Sequence, residues 1–249
     1  MRLQGRKVLV TGGSRGMGKS FGKALAGAGA KVALLARQSE ALTAAASEIE
    51  GAVAVACDLI DAASIGDAID RAGELLGGID ILVNDAALMF VDRVADIRLE
   101  DIEAQIAVNF AAPILTCRAA IPWLRKSTSP DIVNVSSESV KVPIPYLSVY
   151  GATKAALEYF TNALRAELRP DLIRVSILRS GFVASTEINR NIEWSKFSGF
   201  VEAVQASGQG YRTGSTGAPP EAMGEGLVSL LALPREVNID IFEMRPTAP

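Results

Sequence analysis

The feature that most constrains this chain of 249 residues is an alternation: short runs rich in Val, Ile and Leu are separated by longer, Ala-rich amphipathic segments. A continuous apolar run suits a strand buried on both faces, and a helical segment after each such run suits the crossover that parallel strands require. The pattern predicts strands over Lys7–Thr11, Lys31–Ala36, Ala52–Cys57, Asp80–Asn84, Asp131–Ser136, Arg174–Leu178 and Asn238–Phe242. It predicts helices over Gly16–Ala28, Glu40–Ile49, Ser64–Leu76, Leu99–Lys126, Ser148–Leu168 and Glu221–Leu231. The expected architecture is a single-domain, Rossmann-like α/β fold: a doubly wound parallel sheet of about seven strands, helices on both faces, and a ligand crevice at the carboxyl ends of the strands. The span 183–218 lacks a strand pattern. It mixes Trp194, Phe197, Phe200 and Tyr211 with Gly208, Gly210, Gly214 and Gly217, and reads as a lid over the site.

Composition narrows the chemistry. With 25 basic and 28 acidic side chains the net charge is −3, the wrong sign for a protein that neutralises nucleic-acid phosphates. Apolar residues make up 49% of the chain against 21% charged, which is a globular balance. Histidine is absent, which removes Ser-His-Asp triads and histidine zinc sites together. Cys57 and Cys117 lie in apolar stretches with no metal-ligand partner nearby, so buried free thiols are expected and no metal site. No uninterrupted apolar run approaches the length of a membrane span, and the expected setting is the cytoplasm, without a membrane partner.

After the first strand the sequence reads T-G-G-S-R-G-M-G, Thr11 to Gly18, and enters a helix. Gly12, Gly16 and Gly18 permit a tight turn and close approach of the main chain to a pyrophosphate, while the helix start presents free N–H groups to an anion. At the end of the second strand stands Ala36-Arg37-Gln38, with no acidic group to engage a ribose 2′-hydroxyl. Arg37, joined by Arg15 from the turn, suits a 2′-phosphate, so NADP(H) is expected over NAD(H).

Tyr150 and Lys154 stand at i and i+4 on one helical face, about 6 Å apart along the axis. An ammonium beside a phenol favours phenolate and lowers its pKa. Ser137 precedes Tyr150 by 13 residues at the end of the fifth strand, where a hydroxyl can hold a substrate oxygen; Asn109 is an interior helix asparagine whose amide needs a use, such as a water linked to Lys154.

As a set these residues resemble the short-chain dehydrogenase/reductase family in its single-domain form, over about residues 5 to 243. The resemblance implies strand order 3-2-1-4-5-6-7 and a catalytic tetrad of Asn109, Ser137, Tyr150 and Lys154. It implies cofactor contacts from Gly12, Ser14, Arg15, Gly16, Met17, Gly18, Arg37, Asp58, Leu59, Asn84, Ala86, Gly181 and Val183, beside Tyr150 and Lys154. Asp58 would meet the adenine. The implied reaction interconverts a small-molecule carbonyl and a secondary alcohol, and the implied assembly is a homodimer or homotetramer. Two positions depart from the family pattern: Asn-Asn-Ala-Gly stands as Asn84-Asp85-Ala86-Ala87, and Pro-Gly as Ser180-Gly181. Those departures leave two other functions open, a catalytically silent NADP(H)-binding regulator and a non-redox lyase or epimerase on the same fold.

Overall fold

A computed structural model describes residues 2–184, 186–188, 194–209 and 216–247. Strands β1 (Lys7–Thr11), β2 (Lys31–Ala36), β3 (Val53–Ala56), β4 (Ile81–Asn84), β5 (Asp131–Ser137), β6 (Arg174–Ser180) and β7 (Ile241–Met244) form one parallel sheet in the order β3-β2-β1-β4-β5-β6-β7. The helices are α1 (Gly16–Gly27), α2 (Glu40–Ser47), α3 (Ile65–Leu76), α4 (Leu99–Ile106), α5 (Ala112–Leu124), α6 (Ser148–Glu167), α7 (Trp194–Val204) and α8 (Pro220–Leu231). Sequence and structure agree on all seven strands to within three residues at each end, and on the strand order.

Successive strand residues point to opposite faces, so each strand feeds two cores. Leu9 packs with Ile69, Ala72 and Leu124 against α3 and α5, whereas its neighbours Val8 and Val10 pack with Phe21, Leu25 and Leu227 against α1 and α8. Both faces are thereby closed to water, which is why these strands are apolar throughout. The chain runs outward from β1 to β3, then crosses back to β4 on the other side of β1. That reversal sends the helices that follow β1 and β4 to opposite faces of the sheet, with the crevice at the carboxyl edge between them.

Two expectations need correction. The helix expected over Leu99–Lys126 is interrupted by a wide π-helical turn, Ala107–Ala111, between α4 and α5. Asn109 causes nothing unusual in sequence pattern, yet its amide is drawn to the neighbouring loop, and a widened turn is a common accommodation of such a demand. The helix Leu99–Leu124 is long and apolar enough to cross a membrane, but it lies along the sheet, burying Val108, Ala112, Cys117, Ala120 and Leu124 in the core. Second, the span read as a strandless loop contains α7, and Val183 and Ala218 bridge as a parallel pair that ties its two ends together. Gly210, Tyr211 and Gly214 lie outside the described residues, as does the surrounding of the Trp194 side chain.

Candidate active site

A cleft of about 880 Å³ opens at the carboxyl edge of the sheet. One end is made by the glycine turn. Gly12 has a left-handed backbone (φ +74°), and a Cβ there would stand 2.9 Å from the Ala86 Cα; a Cβ on Gly18 would stand 2.5 Å from the Gly12 carbonyl oxygen. Neither position tolerates a side chain, because what it would strike is backbone. The Thr11 hydroxyl accepts from the N–H groups of Asp85 (3.1 Å) and Ala86 (3.2 Å), which holds the loop after β4 against the turn. Arg15 at the start of α1 makes no side-chain cap, so the helix N-terminus faces the cleft with backbone donors available for an anion.

Of the residues expected to hold a cofactor, Gly12, Ser14, Arg15, Gly16, Met17, Arg37, Asp58, Leu59, Ala86, Tyr150, Lys154, Gly181 and Val183 line this cleft. Gly18 and Asn84 do not. Gly18 lies behind the turn as a packing glycine. Asn84 is buried in the sheet, where its amide donates to the Asn134 side-chain oxygen (2.9 Å) and the Cys117 thiol (3.5 Å) and accepts from the Thr116 hydroxyl (2.8 Å). It braces β4 against β5 and α5. Arg15 is ion-paired with Glu187, an exposed contact that joins the glycine turn to the segment before α7. Such a pair costs little to break.

At the other end stand the residues expected to be catalytic. Ser137 ends β5, and α6 brings Tyr150 and Lys154 beside it. Ser137 and Tyr150 line the same cleft wall, the Ser137 hydroxyl accepts from the Ser139 N–H (3.2 Å), and the Lys154 Nζ lies 6.0 Å from the tyrosine ring centre while donating to the Val135 carbonyl (2.8 Å). Burial pushes the Tyr150 phenol up to about 12, and the Asp85 carboxylate adds to the rise against the lowering pull of Ser137. The expected depression by Lys154 is absent here, because the ammonium reaches Val135 rather than the phenol oxygen. Burial also lowers the Lys154 pKa, opposed by Asp85.

Asn109 lies off the cleft wall. Its side chain accepts from the Leu88 N–H (2.8 Å) and donates to the Leu88 carbonyl (2.8 Å) and the Thr153 hydroxyl (3.1 Å), so its amide clamps the loop after β4 to α6. The residue thus has a local use of the kind its awkward position called for, a clamp on the backbone of Leu88. The two family departures are accommodated: Ala87 is not among the described residues with positive φ, so its Cβ imposes no backbone strain, and Ser180 continues β6 in register with Met244.

Between the two ends lies an apolar wall in which Val91, Leu147 and Tyr150 pack with Met89, Ile144, Tyr146, Phe197 and Phe200. Tyr146 and Phe200 meet edge to face at 6.2 Å, and Arg93 stacks on the outer face of the Tyr146 ring. Sequence reasoning placed the aromatic segment over the site, and its Phe197 and Phe200 line the cleft beside Met89 and Leu147, whereas Tyr146 and Phe90 do not. It missed Asp85 as a half-buried charge beside the site, since the departure from the family's Asn was visible but its surroundings were not.

A phenol, an ammonium and a serine hydroxyl beside a dinucleotide-shaped cradle agree with comparison to known proteins. The family model for short chain dehydrogenase matches residues 6–196. The chain belongs to the short-chain dehydrogenase family. L-xylulose reductase of Bos taurus is 36% identical over 177 residues, covering 71% of each chain. Carbonyl reductase family member 4 of Xenopus tropicalis is 34% identical over 174 residues, 70% of this chain and 74% of that protein. Among solved structures, a short chain dehydrogenase from Burkholderia cenocepacia J2315 in complex with NADP has a TM-score of 0.82 at 32% identity, covering 98% of both chains. This dehydrogenase is therefore an oxidoreductase by family, with the Rossmann-like sheet of its relatives.

Proposed function

We propose that this short-chain dehydrogenase reduces a ketone or 3-oxo compound to a secondary alcohol, reversibly, with NADP(H), and that Tyr150 is its general acid and base. The observation that carries the reading is the meeting of Ser137, Tyr150 and Lys154 on the wall of one cleft whose far end carries Arg37 and no acidic residue at the end of β2.

The residues fit the cofactor. The side-chain-free turn at Gly12 leaves main chain to face a pyrophosphate, the uncapped start of α1 supplies N–H donors, and exposed Arg37 stands where a 2′-phosphate would lie. NADP(H), when bound, supplies the hydride. Ser137 holds the substrate oxygen by a hydrogen bond, which aligns the carbonyl with the Tyr150 hydroxyl. Tyr150, protonated throughout the neutral range because burial raises its pKa, donates its proton to that oxygen in reduction and takes it back in oxidation. Lys154 orients the ribose beside Tyr150; Asn109 keeps the loop after β4 and α6 in register. The apolar wall from Met89 to Phe200 excludes water and favours a carbonyl flanked by apolar or aromatic groups. Exposed Tyr159 on α6 and Ile106 on α4 are the surfaces through which a homo-oligomer would form.

The test is NADPH consumption over a panel of ketones. Tyr150→Phe should lower kcat by about 10²- to 10⁴-fold, the usual worth of a positioned acid, with the dissociation constant for NADPH changed less than about threefold. Turnover surviving the substitution, or reaction without net NADPH consumption, would overturn the reading in favour of a different base or a non-redox reaction.

A further inference from the structure

Asp85 is a carboxylate where the family carries an amide, and it is half-buried on the wall of the cleft that Tyr150 and Lys154 line. One of its oxygens lies against Gly18 at the start of α1. The other is buried with no hydrogen-bond partner among the described residues. An orphaned carboxylate oxygen in a dry site is expensive unless a positive charge is near. Lys154 is that charge: it is buried on the wall of the same cleft, and its only hydrogen bond among the described residues goes to the neutral Val135 carbonyl.

We propose that Asp85 is a positioning residue of the reaction, the counter-charge that keeps the Lys154 ammonium protonated while it serves Tyr150. The inference rests on Tyr150 and Lys154 being the reacting pair. Burial alone drives Lys154 towards the neutral amine and Asp85 towards the neutral acid; each charge opposes that drift in the other. The carboxylate also repels a phenolate at Tyr150. Both effects act in one direction for carbonyl reduction, holding the ammonium and the phenol in their protonated forms as pH rises. Among the described residues the charged or titratable groups around the three are few, and Glu138, which follows Ser137 on the cleft wall, is one of them. From α6 come Tyr150 and Lys154 themselves, from the loop after β4 Asp85, and from β5 the neutral Ser137. Glu158, one turn beyond Lys154, is taken up by Arg179 of β6, and Arg15 by Glu187.

The decisive measurement needs neither cofactor nor substrate. In protein labelled with ¹³C at the lysine ε-carbon, the Lys154 resonance is identified by its loss in Lys154→Met. Asp85→Asn, which restores the family's residue, should move the Lys154 titration to lower pH by about one unit, the scale of a nearby buried charge. The reciprocal variant guards against a folding failure: in Lys154→Met, the Asp85 side-chain carboxyl resonance should titrate about one unit higher than in the unsubstituted protein. With an active ketone from the NADPH panel, the alkaline limb of kcat for reduction should move to lower pH in Asp85→Asn by a similar amount. Unchanged titrations of Lys154 and of Asp85 would overturn the proposal. Coupled titrations in a protein that consumes no NADPH would leave Asp85 paired with Lys154 and overturn the proposed reaction instead.

Discussion

Gly18 and Arg37 show how differently single residues of one cleft are constrained. At Gly18 a methyl group would stand 2.5 Å from the Gly12 carbonyl oxygen and 2.9 Å from the Asp85 carboxylate, so backbone must move to admit it. Gly18→Ala should therefore destabilise the protein by about 1–3 kcal/mol, the usual cost of overpacking, and weaken NADPH binding through the displaced turn. Urea unfolding and cofactor fluorescence titration read the two effects. Arg37 is exposed and packs against nothing that matters to the fold, so Arg37→Asp should leave stability within about 0.5 kcal/mol. It should raise the NADPH dissociation constant at least about tenfold while affecting NADH far less, since a carboxylate there repels a 2′-phosphate and suits a 2′-hydroxyl. Equal affinities for both cofactors in both proteins would refute the role. The glycine turn and Tyr150-x-x-x-Lys154 were legible because spacing along one local element dictates where such residues go. Asp85 was not, because its burial, its orphaned oxygen and its partner come from three separate elements.

At the scale of elements, the carboxyl ends of β6 and β7 are fastened to α6 by one guanidinium. Arg179 donates to both oxygens of Glu158 (2.9 and 2.6 Å) and to Glu243 (3.0 Å), which also pairs with Lys141 beyond Ser137. Arg179 and Glu158 are both buried. Truncating one member of such a network strands the others, so Arg179→Ala should cost about 3–5 kcal/mol in urea unfolding. The exposed pair Arg125–Asp171 is the control: Arg125→Ala should leave the urea midpoint almost unchanged, because water already screens it. Sequence patterning does not reveal this role of Arg179, since side-chain direction at a strand end depends on what the next strand and helix present. The same holds for α7 and the turn at Ala107–Ala111. Apolar periodicity reports the face a helix buries; it does not report a widened turn drawn out by the grip of Asn109 on Leu88, nor a helix whose partners are the aromatic residues of a cleft wall.

Across the whole molecule, the two edges of the sheet do different work. The carboxyl edge holds the cleft, whereas at the amino edge the Asp131 carboxylate, at the start of β5, gathers Arg6 (2.7 Å), Arg174 (2.6 Å) and Arg235 (3.0 Å). Arg174 in turn donates to the carbonyls of Leu231, Leu233, Pro234 and Val237, so the segment that leads into β7 is tied to the same point. One buried carboxylate thus joins the entry to β1, the start of β6 and the end of α8. Asp131→Ala leaves three guanidiniums together without their counter-charge and should cost about 3–5 kcal/mol or prevent folding altogether, whereas Asp131→Asn, which keeps the shape and part of the hydrogen bonding, should cost less. Because the rigid strands separate this cluster from the cleft, NADPH affinity of the folded Asp131→Asn protein should match that of the unsubstituted chain. Combined with Tyr150→Phe, its stability loss should add to within about 0.5 kcal/mol, as for distant sites without shared partners. A large departure from additivity would mean that the two edges communicate through the sheet, and that the division between a structural edge and a chemical edge, which the strand topology implies, does not hold for this protein.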